Sequence, residues 1–442
     1  MSRYIIQGGQ ALKGEVSIRG AKNASFKQII ASLLTSSPVR LLNLPDISDV
    51  HLTESIAKNL GSIITYTGSH SIEIVTDTLK HSEVPSGTGE KSRSSFMFLP
   101  PLLHRTGEAT IPIPGGDKLG ARPLDRLFEC YRLMNINIEE FPDHTHFTTT
   151  GIKSVNYEFT KPSHTVTEVI IMTCCLAEGE SIIKNSAIEP EIDDLIDMLN
   201  DMGAKIKRDP QNPKTIIIQG VKELHGTEHQ VIADRNESVT FGCAALATRG
   251  VVNILRVNPK IIETFLKTIE KMGAKVIRGY DEVEIAWNGN LKSTDIETQV
   301  EPGFMTDWQA VFSLVLTQAT GCSSVIERIF PSRFQHIKFL NDMGAKTKFF
   351  NPDTSHPETY YDFNPESDRP EYFHGVKIYG PTKLKPIKLS VNDLRAGACL
   401  TLAALTADGE STVENVELIE RGYEKLADRL RSLGANIKYI KT

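Results

Sequence analysis

The chain repeats one pattern six times, and this repeat constrains its fold more than any other feature. An amphipathic helix that ends in Gly-Ala and runs into a strand recurs as "IDMLNDMGAKIK", "LKTIEKMGAKVI", "IKFLNDMGAKTK" and "LADRLRSLGANIK". "SIAKNLGSII" is a weaker copy, and "LFECYRLMNINIE" lacks the glycine. Apolar residues spaced by three and four predict a helix, and glycine suits the left-handed conformation at its C-terminal end. The alternation that follows, as in "AKIKR", predicts a strand with one buried face.

A second recurring helix is apolar on nearly every side. Its copies are "FKQIIASLLTSSP", "SFMFLPPLLHRTG", "VIIMTCCLAEG", "VTFGCAALATRG", "AVFSLVLTQATG" and "GACLTLAALTADG". A helix without a polar face belongs inside a core, because no side of it suits water. Six such helices predict two cores of three helices each.

The spacing of the repeat reveals one irregular segment. Gly203, Gly273 and Gly344 are 70 and 71 residues apart, whereas Gly344 and Gly434 are 90 residues apart. The surplus coincides with a segment at 351–374 that is rich in Pro, Tyr and acidic residues. We interpret this segment as an insertion that forms a surface loop or hairpin.

We therefore predict an α/β protein with two inside-out barrel (prism) domains, built from six repeats of about 70 residues around buried helices. The predicted domains are 21–231, which carries a loop at 112–123, and 1–20 plus 232–442, which carries the insertion. Two domains also suit a chain of 442 residues, which is too long for one ordinary core. The two crossings between them predict a hinge beside a cleft.

The composition excludes several classes of protein. A net charge of −6 argues against a nucleic-acid binder, although local arginines can still bind a small anion. Six cysteines without a C-x-x-C pair, mostly in apolar runs, indicate reduced and buried thiols. The first residues lack the apolar core of a signal peptide, and the run "VIIMTCCLA" is too short to span a bilayer. We expect a soluble, cytoplasmic protein with no nucleic-acid or membrane partner.

Positive side chains recur where predicted helices begin. A lysine at a helix N-terminus opposes the helix dipole, so Lys22, followed by Asn23, is not there to stabilise its helix. With the free N–H groups it would make an anion site. Each such charge alone fits an exposed side chain, but their recurrence favours a shared anion pocket. The other cations in comparable places are Arg93, Arg122, Lys161, Arg395 and Arg421.

Two carboxylates have two interpretations each. Asp307 begins a buried helix in "GFMTDWQAVFSL", where a structural cap and a catalytic group fit equally well. Asp117 lies in "PGGDKLGARP", where it is either part of a solvated turn or a proton donor on a mobile lid. The sequence contains no P-loop, nucleophile elbow or dinucleotide fingerprint. His144 and His146 lack the further ligands that a metal site needs.

Taken together, these segments resemble the UDP-N-acetylglucosamine 1-carboxyvinyltransferase family, whose fold is EPSP synthase-like. The resemblance rests on "GEVSIRGAKNA", "PGGDKLGARPLD", "LAEGESIIKNSAIEPEIDDL", "TDWQAVFSL", "DLRAGACLTLAAL" and "ERGYEKL", which span the chain. It implies transfer of the enolpyruvyl group of phosphoenolpyruvate to the 3′-hydroxyl of UDP-N-acetylglucosamine, at the start of peptidoglycan precursor synthesis. The hydroxyl attacks C2, C3 gains a proton, and a tetrahedral ketal then loses phosphate and a C3 proton. No metal, organic cofactor or obligate protein partner is implied.

The resemblance also implies roles for individual residues. The catalytic set is Asp117, Lys22, Asp307 and Arg395, with Asp307 accepting the proton of the attacking hydroxyl. Contacts to phosphoenolpyruvate fall on Lys22, Asn23, Arg122, Arg395 and Arg421. Contacts to the nucleotide-sugar fall on Arg93, Arg122, Pro123, Leu124, Asp125, Arg126, Lys161, Pro162, Ser163, His164, Asp307 and Ile329.

The chain departs from this family pattern at three places. Asp117 stands where most members have a cysteine, the residue that the epoxide antibiotic fosfomycin alkylates, so we expect resistance to the drug. His164 and Thr165 are bulkier than the usual residues of the uridine pocket, and the insertion at 351–374 is atypical. Two alternatives stay open: the same chemistry on a nucleoside monophosphate or shikimate 3-phosphate, or a paralogue that only binds nucleotide-sugars.

Overall fold

The computed structural model describes residues 2–90, 93–113, 124–363 and 368–441, with the backbone alone at Arg93. The chain forms two compact units. The central unit comprises 20–113 and 124–232, and the terminal unit comprises 2–19 and 233–441. Each unit contains its own hydrophobic core of buried side chains.

The strands of the described residues are β1 (Arg3–Gly8), β2 (Lys13–Ser17), β3 (Val39–Leu42), β4 (Ile63–Gly68), β5 (Ser71–Val75), β6 (Glu108–Pro112), β7 (Asn137–Glu140), β8 (His144–Thr148), β9 (Asn156–Glu158), β10 (Glu180–Lys184), β11 (Lys205–Asp209), β12 (Asn212–Gln219), β13 (Glu228–Gln230), β14 (Val251–Leu255), β15 (Lys275–Arg278), β16 (Glu282–Ala286), β17 (Ile296–Glu297), β18 (Gly321–Ile326), β19 (Lys346–Phe350), β20 (Gly375–Gly380), β21 (Lys388–Ser390), β22 (Gly409–Glu414) and β23 (Asn436–Ile440).

The α-helices are α1 (Lys22–Ser32), α2 (Ser48–Leu60), α3 (Ser86–Gly89), α4 (Leu99–Thr106), α5 (Asp125–Leu133), α6 (His164–Cys174), α7 (Pro190–Asp201), α8 (Arg235–Ala247), α9 (Glu263–Met272), α10 (Gln309–Gln318), α11 (Gln335–Asp342), α12 (Pro357–Tyr360), α13 (Leu394–Thr406) and α14 (Leu426–Ser432). In the described part of the chain, 3-10 helices cover Arg93–Phe98, Pro259–Ile262, Thr306–Trp308 and Val416–Arg421.

The central unit is built from three sheets around three helices. Its sheets have the strand orders β13-β3-β5-β4, β6-β8-β7 and β11-β12-β10-β9. The helices that enter its core are α1, α4 and α6, each of which matches one of the apolar repeats. Strands such as β5 alternate buried and partly buried residues, so each sheet presents one face to the core.

The terminal unit has the same plan. Its sheets have the orders β15-β16-β14-β2, β17-β18-β20-β19 and β21-β22-β1-β23. Every residue of α8 and α10 is buried, and so are twelve of the thirteen residues of α13, from Leu394 to Leu405. Helices lie inside and sheets outside in both units, which confirms the predicted inside-out α/β architecture.

The amphipathic repeats correspond to α2, α5, α7, α9, α11 and α14, on the sequence positions where they were predicted. Gly273 follows α9 with a φ of +103°, the left-handed conformation that glycine adopts at little cost. The copy that lacks the glycine has Asn135 with a φ of +64°. Asparagine tolerates this conformation better than most residues, so it ends the same turn.

Residues 351–374 form an excursion between two paired strands. β19 and β20 lie side by side, with Phe350 opposite Gly375, so the excursion leaves and re-enters the sheet at one point. Arg328 anchors it, because its Nε donates to the carbonyl oxygen of Tyr360 at 2.7 Å. The guanidinium also lies 4.5 Å from the Tyr360 ring centroid, in cation–π geometry. The segment thus contacts the residue that precedes Ile329.

Among the residues described, none of the helices combines the length and the apolarity that a membrane span needs. All six cysteines are free, and five of them are buried, as the sequence predicted. Cys322 is exposed, so the prediction of a buried thiol is wrong at that position.

Candidate active-site residues

Asp307 lies between two guanidinium groups in the terminal unit. It belongs to the 3-10 helix Thr306–Trp308 that leads into α10. Arg333 Nη2 donates to its Oδ1 at 2.5 Å, and Arg395 Nη2 donates to its Oδ2 at 2.9 Å. The carboxylate is engaged by these side chains, and no side-chain cap bond is made at the start of either helix. The structure therefore favours an electrostatic role over the structural cap.

The two arginines determine the protonation of Asp307. Burial raises the pKa of its carboxyl, but the charges and hydrogen bonds of Arg395 and Arg333 outweigh this and hold the pKa well below its usual range. Asp307 is therefore ionised at neutral pH. It is also a weak base for as long as both contacts persist.

Arg395 is fixed from several sides. Asp393 caps α13 by accepting from the backbone N–H groups of Arg395 and Ala396, at 2.9 and 3.0 Å. Arg395 Nη1 donates to the hydroxyl of Tyr423 at 3.1 Å, and that hydroxyl lies 2.9 Å from Thr240 Oγ1. Arg421 ends the 3-10 helix Val416–Arg421, two residues before Tyr423. The sequence did not identify Tyr423, whose position sets that of the Arg395 guanidinium.

Glu327 organises the loop that follows β18. Its buried Oε1 accepts from the N–H groups of Ile329 and Phe330, at 2.9 and 3.1 Å. Its Oε2 accepts from Thr306 Oγ1 at 2.8 Å, beside Asp307. One carboxylate thus holds Ile329, a predicted nucleotide-sugar contact, and the turn that carries Asp307. Glu327, like Tyr423, was not predicted from the sequence.

Lys22 is the first residue of α1 in the central unit. Its Nζ lies 2.8 Å from Asp49 Oδ2 in the first turn of α2, and both side chains are mostly buried. Asn23 follows in the same turn of α1 and is partly buried. The ion pair explains how a lysine is kept at the dipole-positive end of a helix, since Asp49 offsets the unfavourable interaction.

The second group in the central unit joins α5 to the start of α6. Arg126 Nη1 donates to the carbonyl oxygen of Pro162 at 3.3 Å. Ser163 caps α6 by accepting from the N–H of Val166 at 3.5 Å. The structure thus brings together the following predicted nucleotide-sugar contacts from two segments of the chain: Leu124, Asp125 and Arg126 at the start of α5, and Lys161, Pro162, Ser163 and His164 at the start of α6.

Behind this group lies a buried cluster that the sequence analysis did not identify. Lys27 Nζ lies 2.6 Å from Glu168 Oε2 and 3.2 Å from His164 Nε2, and His164 Nε2 lies 3.2 Å from Glu168 Oε1. Lys27 and Glu168 are 3% and 0% exposed. Glu168 is the one acidic residue of α6, and Lys27 lies inside α1, a helix that was predicted to be buried. A charged residue inside a buried helix was the available sequence signal.

Some of the predicted site residues lie outside the described residues. These are Asp117, Arg122 and Pro123, together with the side chain of Arg93. Arg93 itself begins the 3-10 helix Arg93–Phe98, ahead of α4. Within the described part of the chain, no three His, Cys, Asp or Glu side chains lie close enough to hold a metal ion.

Comparison with known proteins gives full-length matches. The family profile described as EPSP synthase (3-phosphoshikimate 1-carboxyvinyltransferase) matches residues 6–430. The chain is 37% identical over 442 residues to UDP-N-acetylglucosamine 1-carboxyvinyltransferase 2 of Carboxydothermus hydrogenoformans, with 100% of both chains covered. It is 35% identical over 442 residues to UDP-N-acetylglucosamine 1-carboxyvinyltransferase of Acinetobacter baylyi, again with 100% of both covered.

A solved structure shares the fold. The enolpyruvyl transferase NikO from Streptomyces tendae superposes with a TM-score of 0.85 at 23% sequence identity, covering 100% of this chain and 99% of that chain.

Proposed function

Because this chain belongs to the EPSP synthase (3-phosphoshikimate 1-carboxyvinyltransferase) family, we propose that it transfers the enolpyruvyl group of phosphoenolpyruvate to the 3′-hydroxyl of UDP-N-acetylglucosamine and releases phosphate. The observation that carries the acceptor is the full-length 37% identity to a relative named for that reaction. The enzyme would act at the start of peptidoglycan precursor synthesis. A cytoplasmic location is part of the proposal.

The cationic residues support the binding of two anionic substrates. In the proposal, Lys22, Arg395 and Arg421 hold phosphoenolpyruvate with Asn23 and Arg122. The nucleotide-sugar is held by Arg93, by the start of α5 and by the start of α6. Arginine suits this role because its planar fork matches carboxylate and phosphate oxygens. No residue in this assignment requires a metal.

Asp307 is proposed to accept the proton of the attacking sugar hydroxyl. Its two ion pairs make it a poor base in the absence of substrate. An anion that takes Arg395 away from Asp307 removes one of these pairs, and the pKa of Asp307 then rises toward its ordinary value. Binding of phosphoenolpyruvate at Arg395 would therefore activate the base.

Asp117 is proposed to protonate C3 as the sugar oxygen bonds to C2. This gives a tetrahedral ketal with a methyl group, which then loses phosphate from C2 and a proton from C3. The assignment of Asp117 rests on the sequence alone. An aspartate has an ordinary pKa near 3.9, so the site must raise it for the acid form to be present at neutral pH.

The deciding experiment measures phosphate release from phosphoenolpyruvate with each acceptor in turn. We expect release with UDP-N-acetylglucosamine, and none with shikimate 3-phosphate or a nucleoside monophosphate. Release with one of the latter alone would replace the proposed acceptor. Tight binding of UDP-N-acetylglucosamine without turnover would make the chain a binding protein instead.

A further inference from the structure

We propose that Lys27 and Glu168 position His164 so that its Nδ1–H donates to the diphosphate of the nucleotide-sugar. His164 then determines specificity for a diphosphate, and Lys27 and Glu168 are positioning residues. This inference rests on the proposed function only in taking the start of α6 as part of the nucleotide-sugar site.

The cluster is costly to bury, which suggests a role beyond stability. Glu168 is fully buried, and among the described residues neither of its oxygens has a hydrogen-bond partner of good geometry. Its charge is balanced by the Lys27 ammonium at 2.6 Å and by the His164 ring at 3.2 Å. A buried ion pair is often no more stable than an apolar pair of the same volume. Packing of α1 against its neighbours therefore does not require these charges.

The contacts of His164 are all made by one ring nitrogen. Nε2 lies 3.2 Å from Lys27 Nζ and from Glu168 Oε1, and Nδ1 has no hydrogen-bond partner among the described residues. Lys27 can only donate to Nε2, whereas the Glu168 carboxylate can only accept from it. We assign to the neutral ring the tautomer that accepts from Lys27 at Nε2 and carries its proton on Nδ1. The charged ring has a proton on both nitrogens and directs the Nε2 proton to Glu168. Nδ1 is a donor in both states.

The ring lies where an anionic oxygen is the natural acceptor. The His164 side chain is 21% exposed, at the first residue of α6. Lys161 precedes it, and Arg126 reaches the adjoining Pro162 carbonyl. The first N–H groups of a helix also favour an anion. A diphosphate fits this environment better than the uncharged carbonyl groups of uracil.

The charge of His164 depends on the groups around it. Burial lowers the pKa of the His164 ring, Glu168 raises it, Lys27 lowers it and Glu189, ahead of α7, raises it, with a net upward shift. The cationic ring binds a diphosphate more strongly than the neutral ring. The affinity for a diphosphate is thus expected to fall as pH rises through the His164 pKa.

The test is calorimetric titration of the full-length protein with UDP-N-acetylglucosamine between pH 5.5 and 8.5, with uridine as the ligand that lacks phosphate. The phosphates of UDP-N-acetylglucosamine do not titrate in this range, so a pH dependence reports the protein. We expect affinity to fall with rising pH for UDP-N-acetylglucosamine but not for uridine. His164→Val should bind UDP-N-acetylglucosamine about tenfold more weakly, the equivalent of one charge-assisted hydrogen bond. In this variant, the affinity for UDP-N-acetylglucosamine should no longer fall with rising pH, so that its pH profile resembles that of uridine.

The roles of Lys27 and Glu168 are tested by the pH at which the affinity for UDP-N-acetylglucosamine falls. Glu168→Gln should shift it to lower pH and Lys27→Met to higher pH, because the two charges act oppositely on the ring. Lys207→Met, which removes an exposed lysine of β11, is the matched control and should leave the profile unchanged. If a cluster variant does not fold, ¹⁵N NMR of the wild-type protein measures the protonation state and the tautomer of the His164 ring. The signals of His164 are assigned by their absence in His164→Val.

Two results would overturn the inference: equal pH profiles in the wild type and His164→Val, or a neutral ring protonated on Nε2. Different results would contradict the proposed function. In that case UDP-N-acetylglucosamine would give no phosphate release, while the binding profile would still follow His164.

Discussion

Asp307 is ionised at neutral pH, yet both of its oxygens are occupied by guanidinium groups. Arg395 is one of the predicted substrate ligands, whereas Arg333 lies in the loop after β18 and also donates to Thr306 Oγ1 at 3.0 Å. The two pairs therefore differ in function. Under the proposed function, phosphoenolpyruvate would displace the pair with Arg395, and the pair with Arg333 would keep the carboxylate in place. Arg333 is the residue through which the basicity of Asp307 can be tested.

Replacing Arg333 with methionine should raise the pKa of Asp307, because one of two stabilising charges is lost. A carboxyl group whose pKa is lower in the folded than in the unfolded protein stabilises the folded state at pH values above the unfolded-state pKa, near 3.9. This stabilisation is lost as the pH falls through the pKa of the folded state. The variant should thus lose about 1.5–3 kcal/mol of stability at pH 7, the usual contribution of a hydrogen bond to a charged group. The acid limb of kcat/KM should also move to higher pH.

The pH profile of kcat/KM, followed from pH 8 down to the lowest pH at which both proteins stay folded, measures this shift. Arg333→Lys, which retains a charge without the planar fork, is the matched control and should stay closer to the wild type. If the acid limbs of the kcat/KM profiles were identical in the wild type and Arg333→Met, Asp307 would not be the base.

The presence of Asp117 in place of a cysteine predicts how the protein responds to fosfomycin. The wild-type protein should show no time-dependent inactivation by fosfomycin, because a carboxylate is a poor nucleophile toward the epoxide, and Asp117→Cys should become sensitive. Asp117→Asn should lose about 10²–10⁴-fold in kcat, the usual contribution of a general acid. The exposed thiol of Cys322 is an internal control, since it is present in the wild type. Time-dependent inactivation of the wild type by fosfomycin, or full activity in Asp117→Asn, would contradict the assignment.

At the scale of the element, the amphipathic helices depend on one left-handed residue at their C-terminal ends. Gly434, after α14, has a φ of +94°, and a Cβ built there would meet no heavy atom within 4 Å. Gly273, after α9, would bring a Cβ to 3.2 Å from the Asn290 carbonyl oxygen. A substitution at Gly434 therefore measures the free-energy cost of the left-handed conformation alone. A substitution at Gly273 adds the cost of a close contact.

Gly434→Ala should destabilise the terminal unit by about 1–2 kcal/mol through the left-handed conformation alone. Gly434→Asn should cost less, because asparagine tolerates this conformation, as Asn135 does after α5. Gly273→Ala should cost more, since its Cβ also contacts a backbone oxygen. Both tryptophans, Trp287 and Trp308, lie in the terminal unit, so their fluorescence in urea reports its unfolding. Equal losses for Ala and Asn at position 434 would mean that φ is not the cause.

At the scale of the whole molecule, repeated features were predictable and unique contacts were not. The six amphipathic and six buried helices follow from local periodicity, and the position of Gly273 or Asn135 marks where a helix ends. The pairing of Lys27 with Glu168 joins α1 to α6 across a folded core, and no local pattern specifies the partner. Arg333 lies in an irregular loop with no periodicity, so its contact with Asp307 is visible only in three dimensions.

The pairing of β1 has a consequence for biosynthesis. β1 lies between β22 and β23, and β2 pairs with β14, so the terminal unit joins residues 3–17 to strands made much later. The described residues of the central unit, 20–113 and 124–232, all precede the strands that pair with β1, so they can fold while the ribosome is still adding the later residues. β1 must wait, unpaired, until residues 409–440 have been translated, whereas β2 can pair as soon as β14 (Val251–Leu255) has been made. During synthesis, β1 is therefore an exposed edge that depends on the rest of its own chain, or on a chaperone, for protection.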